Sequence, residues 1–146
     1  MRNYRIYLIE DEFAHHFYGR ERLFFNLFLE YTNSSGRQKS ILHKQIEYIT
    51  RSIPVAALKN ILEKLSIRNK EFLYKDGIYY LEKRTGKSKA VLKLGNEFLA
   101  LQADGNFEAE TSFFECIRKY ESGFLAIDLE NHRYGWLKPV KERKFV

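Results

Sequence analysis

The sequence holds a single cysteine, Cys116, in 146 residues. One thiol excludes an internal disulfide and any metal site built on paired cysteines, and it fits a reducing, cytoplasmic setting. Pro54 and Pro139 are the two prolines, and there are eight glycines, so long flexible linkers are not expected. No apolar run approaches the roughly 18 residues that suggest a membrane-spanning helix. The opening Met1-Arg2-Asn3-Tyr4-Arg5 leads into a run too short and too polar for an export segment. Internal repeats and low-complexity segments are also lacking.

Aromatic residues, in contrast, are plentiful. Ten Tyr and twelve Phe are far more than a disordered chain carries, and they predict one well-packed domain spanning residues 1–146. The net charge of +6 and a pI near 9.3 favour acidic partners. The basic residues are nevertheless scattered. Lys83, Arg84, Lys87 and Lys89 gather around a turn signal, and Lys138, Lys141, Arg143 and Lys144 lie near the end. A solvated basic surface explains this pattern better than a nucleic-acid footprint.

Residues 4–9 are rich in β-formers and predict a strand. Glu10, Asp11 and Glu12 then suit a helix N-terminus, where acids meet the positive end of the dipole. Phe13, Phe17, Phe24, Leu27, Phe28 and Tyr31 recur at helical spacing, so one helix is expected to run to about Tyr31. Tyr18, Phe25 and Leu29 form a second stripe beside the first. Two stripes mean that the helix is wedged between layers or that part of it faces a partner. Residues 38–50 predict a second helix, with Ile41, Gln45, Tyr48 and Ile49 near one another on its surface, and Pro54 opens a third.

The period then switches. Three or four strands are expected between Phe72 and Ala103, divided by Asp76-Gly77, Gly86 and Gly95-Asn96. A further helix follows Asp104-Gly105-Asn106, with Ala109, Phe113, Ile117 and Tyr120 on its buried face. Two last strands, 124–129 and 133–138, join across Asn131-His132. The fold class is α+β: a mostly antiparallel sheet with about four helices packed on it.

The search for catalytic chemistry is nearly empty. His15 and His16 are adjacent, so on a helix they diverge by about 100° and do not converge on a metal. Cys116 lies within an amphipathic helix, where a buried inert thiol is expected. Gly95-Asn96 and Gly105-Asn106 lack the spacing of a phosphate-binding loop. Glu108, Glu110 and Glu10 to Glu12 are read as helix-capping acids rather than an acid–base pair. Trp136, between Gly135 and Pro139, is read as a core anchor ahead of a base-stacking platform. No catalytic residue, metal or cofactor is expected. The residues alone therefore describe a binding module with surplus apolar surface near its start.

Four segments carry a resemblance. They are Tyr7-Leu8-Ile9 with residues 11–21, residues 44–50, Gly105 to Thr111 with Phe113-Phe114-Glu115, and residues 133–146. Together they resemble the SirA family of endospore-forming bacteria, collinearly from end to end, with 51–103 similar mainly in pattern. The resemblance implies a protein made at entry into sporulation that binds the N-terminal domain of the replication initiator DnaA. It implies a contact surface of Phe13, Phe17, Gln45 and Tyr48, with Tyr18 beside them. Where the family can have Tyr, this chain has Phe17: the ring is kept and a hydroxyl lost. A nucleic-acid-binding regulator acting directly on DNA or RNA is the alternative, and direct nucleic-acid binding is the less expected of the two.

Overall fold

The computed structural model describes residues 1–139. Lys141, Arg143, Lys144 and the end of the fourth resembling segment lie outside the described residues. The elements follow in the order β1 (Arg2–Ile9), α1 (Asp11–His16), α2 (Arg22–Asn33), α3 (Gly36–Ile49), β2 (Thr50–Arg51), α4 (Val55–Arg68), β3 (Phe72–Lys75), β4 (Ile78–Glu82), β5 (Ser88–Lys93), β6 (Leu99–Gly105), α5 (Glu108–Arg118), β7 (Phe124–Asp128) and β8 (Arg133–Trp136).

The strands form one antiparallel sheet ordered β3-β4-β5-β6-β1-β7-β8, with β2 paired to the end of β1. The β3-β4-β5-β6 part is the meander that the short Gly-containing turns predict. At the first of these, Asp76 and Gly77 both adopt positive φ, 51° and 79°, as a tight hairpin with the twist of its strands demands. β1 pairs with both β6 and β7 and so sits inside the sheet.

Side chains on a strand alternate between faces, and β1 is buried on both. Ile6 and Leu8 join Leu58, Leu62, Phe113 and Ile117 of α4 and α5. Tyr7 and Ile9 join Phe24, Phe25, Phe28 and Ile46 on the opposite side. The result is α+β: three helices on one face of the sheet, two on the other.

One expectation is corrected here. Residues 11–31 do not form a continuous helix, and the described helices number five rather than about four. The helix stops after His16 and a second one begins at Arg22. Gly19 stands between them at φ 79°, a left-handed conformation that glycine tolerates and a helix cannot contain. The break changes the packing. In a straight helix, residues seven apart are about 10 Å apart along the axis, whereas the rings of Phe17 and Phe24 meet edge to face at 5.2 Å. Glu21 fastens the corner: its Oε1 accepts the Gly19 N–H at 3.1 Å and the Trp136 indole N–H at 3.3 Å. The half-buried Trp136 thus anchors this corner to β8 and meets the Phe24 ring at 6.1 Å.

Asp11 and Glu12 stand in the first turn of α1, and Glu108 and Glu110 in that of α5, as expected, but without side-chain caps. Neither α1 nor α5 has a side-chain hydrogen bond from its N-cap residue. The start of α5 is satisfied otherwise. Asn106 Oδ1 accepts the Glu108 N–H at 3.0 Å, and the buried Ser88 Oγ accepts the Ala109 N–H at 2.8 Å. Glu110 is buried and paired with Arg2 through two guanidinium nitrogens. Asp128 is buried as well, and accepts from Arg133 Nη2 and Asn131 Nδ2, each at 2.8 Å.

Replacing Gly105 with Ala tests the close approach of β5 and β6. Gly105 has φ 81°, and an added Cβ would stand 2.0 Å from the Lys87 carbonyl oxygen. Gly105→Ala is expected to lower stability by about 2 kcal/mol or more, measured as a drop in chemical-denaturation midpoint.

Burial alone pushes the Asp128 carboxyl pKa up, but hydrogen bonds from Arg133 and Asn131 outweigh it and hold the value below normal. A depressed folded-state pKa contributes stability above the unfolded value, near 4. That contribution fades as pH falls through the lower, folded value. Asp128→Asn is therefore expected to cost about 2 kcal/mol at pH 7. The gap between variant and parent should narrow in denaturation series taken from pH 5 towards pH 2.

Candidate protein-docking site

The α1–α2 corner and the outer flank of α3 lie side by side on one face of the sheet. α1 is seated by Ala14, which is buried, and its first turn is tied back where the Glu10 N–H donates to the Ile49 carbonyl at 2.8 Å. That bond fixes the start of α1 to the end of α3. It also brings together the two sequence segments that carry the expected contact residues.

Phe13 is half-buried, and its ring meets that of Tyr48 at 5.3 Å, tilted 60°. Tyr48 is 74% exposed. One turn on, the Phe17 N–H donates to the Phe13 carbonyl at 3.0 Å, closing α1. Phe17 is half-buried between the Phe24 and His16 rings, with the Arg20 guanidinium 5.3 Å from its centroid. Tyr18 follows, exposed, on the loop that Gly19 bends.

Gln45 is exposed on α3, one turn before Tyr48 and Ile49. With Leu27, Ile41 and Lys44 these residues line a shallow open groove of about 560 Å³ between α2 and α3. Tyr48, Phe13 and Phe17 therefore form a ridge of rings beside an apolar groove. Gln45 and Lys44 supply its polar atoms.

All five expected contact residues thus lie on the α1–α3 side of the sheet, and none is fully buried. Phe13, Gln45 and Tyr48 are brought together, and Phe17 extends the ridge. Tyr18 stands at its margin and makes no ring contact within the described residues. Two exposed residues were missed, Leu23 at the start of α2 and Arg20 before it. Both stand at the break near Gly19. Reading a continuous helix hides them, because the ring spacing carries on across Gly19.

His15 pairs with Asp11 at 3.4 Å. Among the described residues no group of three His, Cys, Asp or Glu side chains is placed to hold a metal ion. Cys116 lies across the sheet in the other core, where burial pushes its thiol up to about 11. A thiol so far above neutral pH is protonated and a poor nucleophile. No described helix is long and apolar enough to cross a membrane.

Residues 2–141 match the family described as "Sporulation inhibitor of replication protein SirA". The protein of that name from Bacillus subtilis (strain 168) is 41% identical over 147 residues, which cover 99% of this chain and 99% of the relative. On this end-to-end match the chain belongs to the SirA family of sporulation inhibitor of replication proteins.

Proposed function

We propose that the protein is a non-enzymatic inhibitor of replication initiation during sporulation, which works in the cytoplasm by gripping the N-terminal domain of the initiator DnaA. The observation that carries the reading is the ridge of Phe13, Phe17 and Tyr48 beside the groove lined by Gln45. The family's name supplies the process, and the sequence resemblance supplies the partner.

Rings held on short helices lose little freedom on binding, so most of their buried area counts towards affinity. Tyr48, largely in solvent, has the most area to gain, and its hydroxyl can pair across an interface. Gln45 adds a directional amide. Phe17 keeps its apolar contact without the hydroxyl that a Tyr would bring. A surface of this kind blocks by occupation: a partner held here cannot use the covered face for self-assembly or for other regulators. No bond needs to break.

Titration of the full chain into the isolated DnaA N-terminal domain tests the reading. Tyr48→Ala and Phe17→Ala are each expected to weaken binding by about 2 kcal/mol, with circular dichroism unchanged. Folded variants that bind at full strength would remove the site. The direct DNA-binding alternative has a different signature. Its affinity collapses as salt rises, whereas an aromatic-centred interface loses only modestly. Tight DNA binding that disappears between 50 and 200 mM salt, with no binding to the domain, would replace the reading.

A further inference from the structure

α3 has a second flank. Lys39, His43 and Glu47 follow one another at four-residue spacing, on the side of the helix away from Gln45 and Tyr48. They overlook a polar cleft of about 450 Å³ between α3, the end of α2 and the sheet. The volume falls within the range of small-molecule sites, about 300–1,000 Å³, and exceeds what one inorganic anion fills.

The charges in this cleft are sorted. Glu47 and Glu97 stand at the rim, with side chains 63% and 67% exposed, and His43 lies between them, its Nδ1 2.8 Å from Glu47 and its Nε2 3.4 Å from Glu97. Arg51, also on the lining, is neutralised by Glu121. Arg5 and Lys39 are different. Both are half-buried, and neither is ion-paired to a carboxylate among the described residues. Each rests on a ring, Arg5 over Phe98 at 4.9 Å and Lys39 over Tyr31 at 5.0 Å, and Arg5 also donates to the Tyr7 hydroxyl, a neutral partner. A ring holds a cation in place but cannot neutralise it. The cleft therefore keeps two positioned cationic donors that no carboxylate pairs, with Glu47 and Glu97 set at its exposed edge.

We infer that this cleft is a binding site for a small phosphorylated sugar, whose phosphate is taken by Arg5 and Lys39. Two cations facing one cleft suit a doubly charged phosphate ester, and guanidinium pairs with phosphate oxygens through two parallel N–H bonds. Ser52, Thr50, Thr32 and Asn96 add hydroxyl and amide groups to a lining that also holds the rings of Tyr7, Tyr31 and Phe98 and the side chain of Ile46. Hydroxyl and amide groups of this kind match a sugar rather than an acyl chain. The site is separate from the ridge at Phe13 and Tyr48, so its test does not depend on the docking reading.

The experiment is calorimetric titration of the full chain with ribose 5-phosphate, AMP and inorganic phosphate, at low and moderate salt. Saturable one-to-one binding of ribose 5-phosphate or AMP, tighter than that of phosphate, is expected. AMP binding more tightly than ribose 5-phosphate would show that the base is held as well; equal affinity would place it outside. Arg5→Gln and Lys39→Gln should each weaken the ester about tenfold, with the melting temperature of the free protein unchanged. Lys39 lies on a helix flank, so K39Q keeps the test decisive if R5Q disturbs β1. No saturable binding of either ester, phosphate binding as tightly as the esters, or ester binding undiminished in folded K39Q would overturn the assignment.

Discussion

Every residue of β7 from Phe124 to Asp128, and β1 from Ile6 to Ile9, is shielded from water. The two strands lie side by side in the sheet. Because their side chains alternate, both faces of this strand pair must be covered, and the chain can cover them only with helices. The docking face follows from that constraint. α1, α2 and α3 are held where they are because Tyr7, Ile9, Leu125 and Ile127 need Phe24, Phe25, Phe28 and Ile46. The Tyr7 and Phe28 rings stack at 4.1 Å and join α2 to β1. Burying a large aromatic at such a position is worth several kcal/mol. The helices are therefore a rigid support, and side chains on their outer surface can remain in water without loosening the fold.

The separation of roles within the aromatic set explains why the sequence yielded so much of the fold and less of the site. Alternation and turn residues declare the strands. Asp76-Gly77 and Asn131-His132 stand where hairpins fall, and His132 takes the positive φ of 53° that such a turn uses. The α3 surface was equally legible: Ile41, Gln45, Tyr48 and Ile49 were grouped from spacing and do line one groove. The break at Gly19 was not legible, because Phe13, Phe17 and Phe24 keep helical spacing across it. Spacing reports which side chains share a face if the helix continues, and it carries no information on whether it continues. Only the backbone demand at Gly19 and the bonds to Glu21 decide that.

The acids illustrate a second limit. Glu108, Glu110 and Asp11 share the same local pattern near a helix start, yet their fates differ. Glu110 is buried against Arg2, a residue 108 positions away; Asp11 stays in solvent beside His15. Local sequence fixes that an acid is tolerated at a helix N-terminus. Whether it becomes a buried ion-pair partner depends on which strand end arrives there, and that is a property of the sheet order. The same order puts Asp128 at the end of β7 opposite Arg133 of β8, where the hairpin brings the two into register.

A single helix, α3, separates the two proposed surfaces. Its buried residues Leu42 and Ile46 seat it. One exposed flank carries Gln45 and Tyr48 beside Phe13, and the other carries Lys39 and His43 beside Arg5. The bond from the Glu10 N–H to the Ile49 carbonyl, and the bridge of His43 to Glu97 across the cleft, hold the helix at both sides. A ligand drawing Lys39 and Arg5 together would act on one flank of the helix whose other flank forms half of the ridge. Coupling between the two requires that α3 have two arrangements with different affinities. Its packing against a strand buried on both faces argues for one. The two surfaces are then expected to work independently, with the ridge rigid whether or not the cleft is filled.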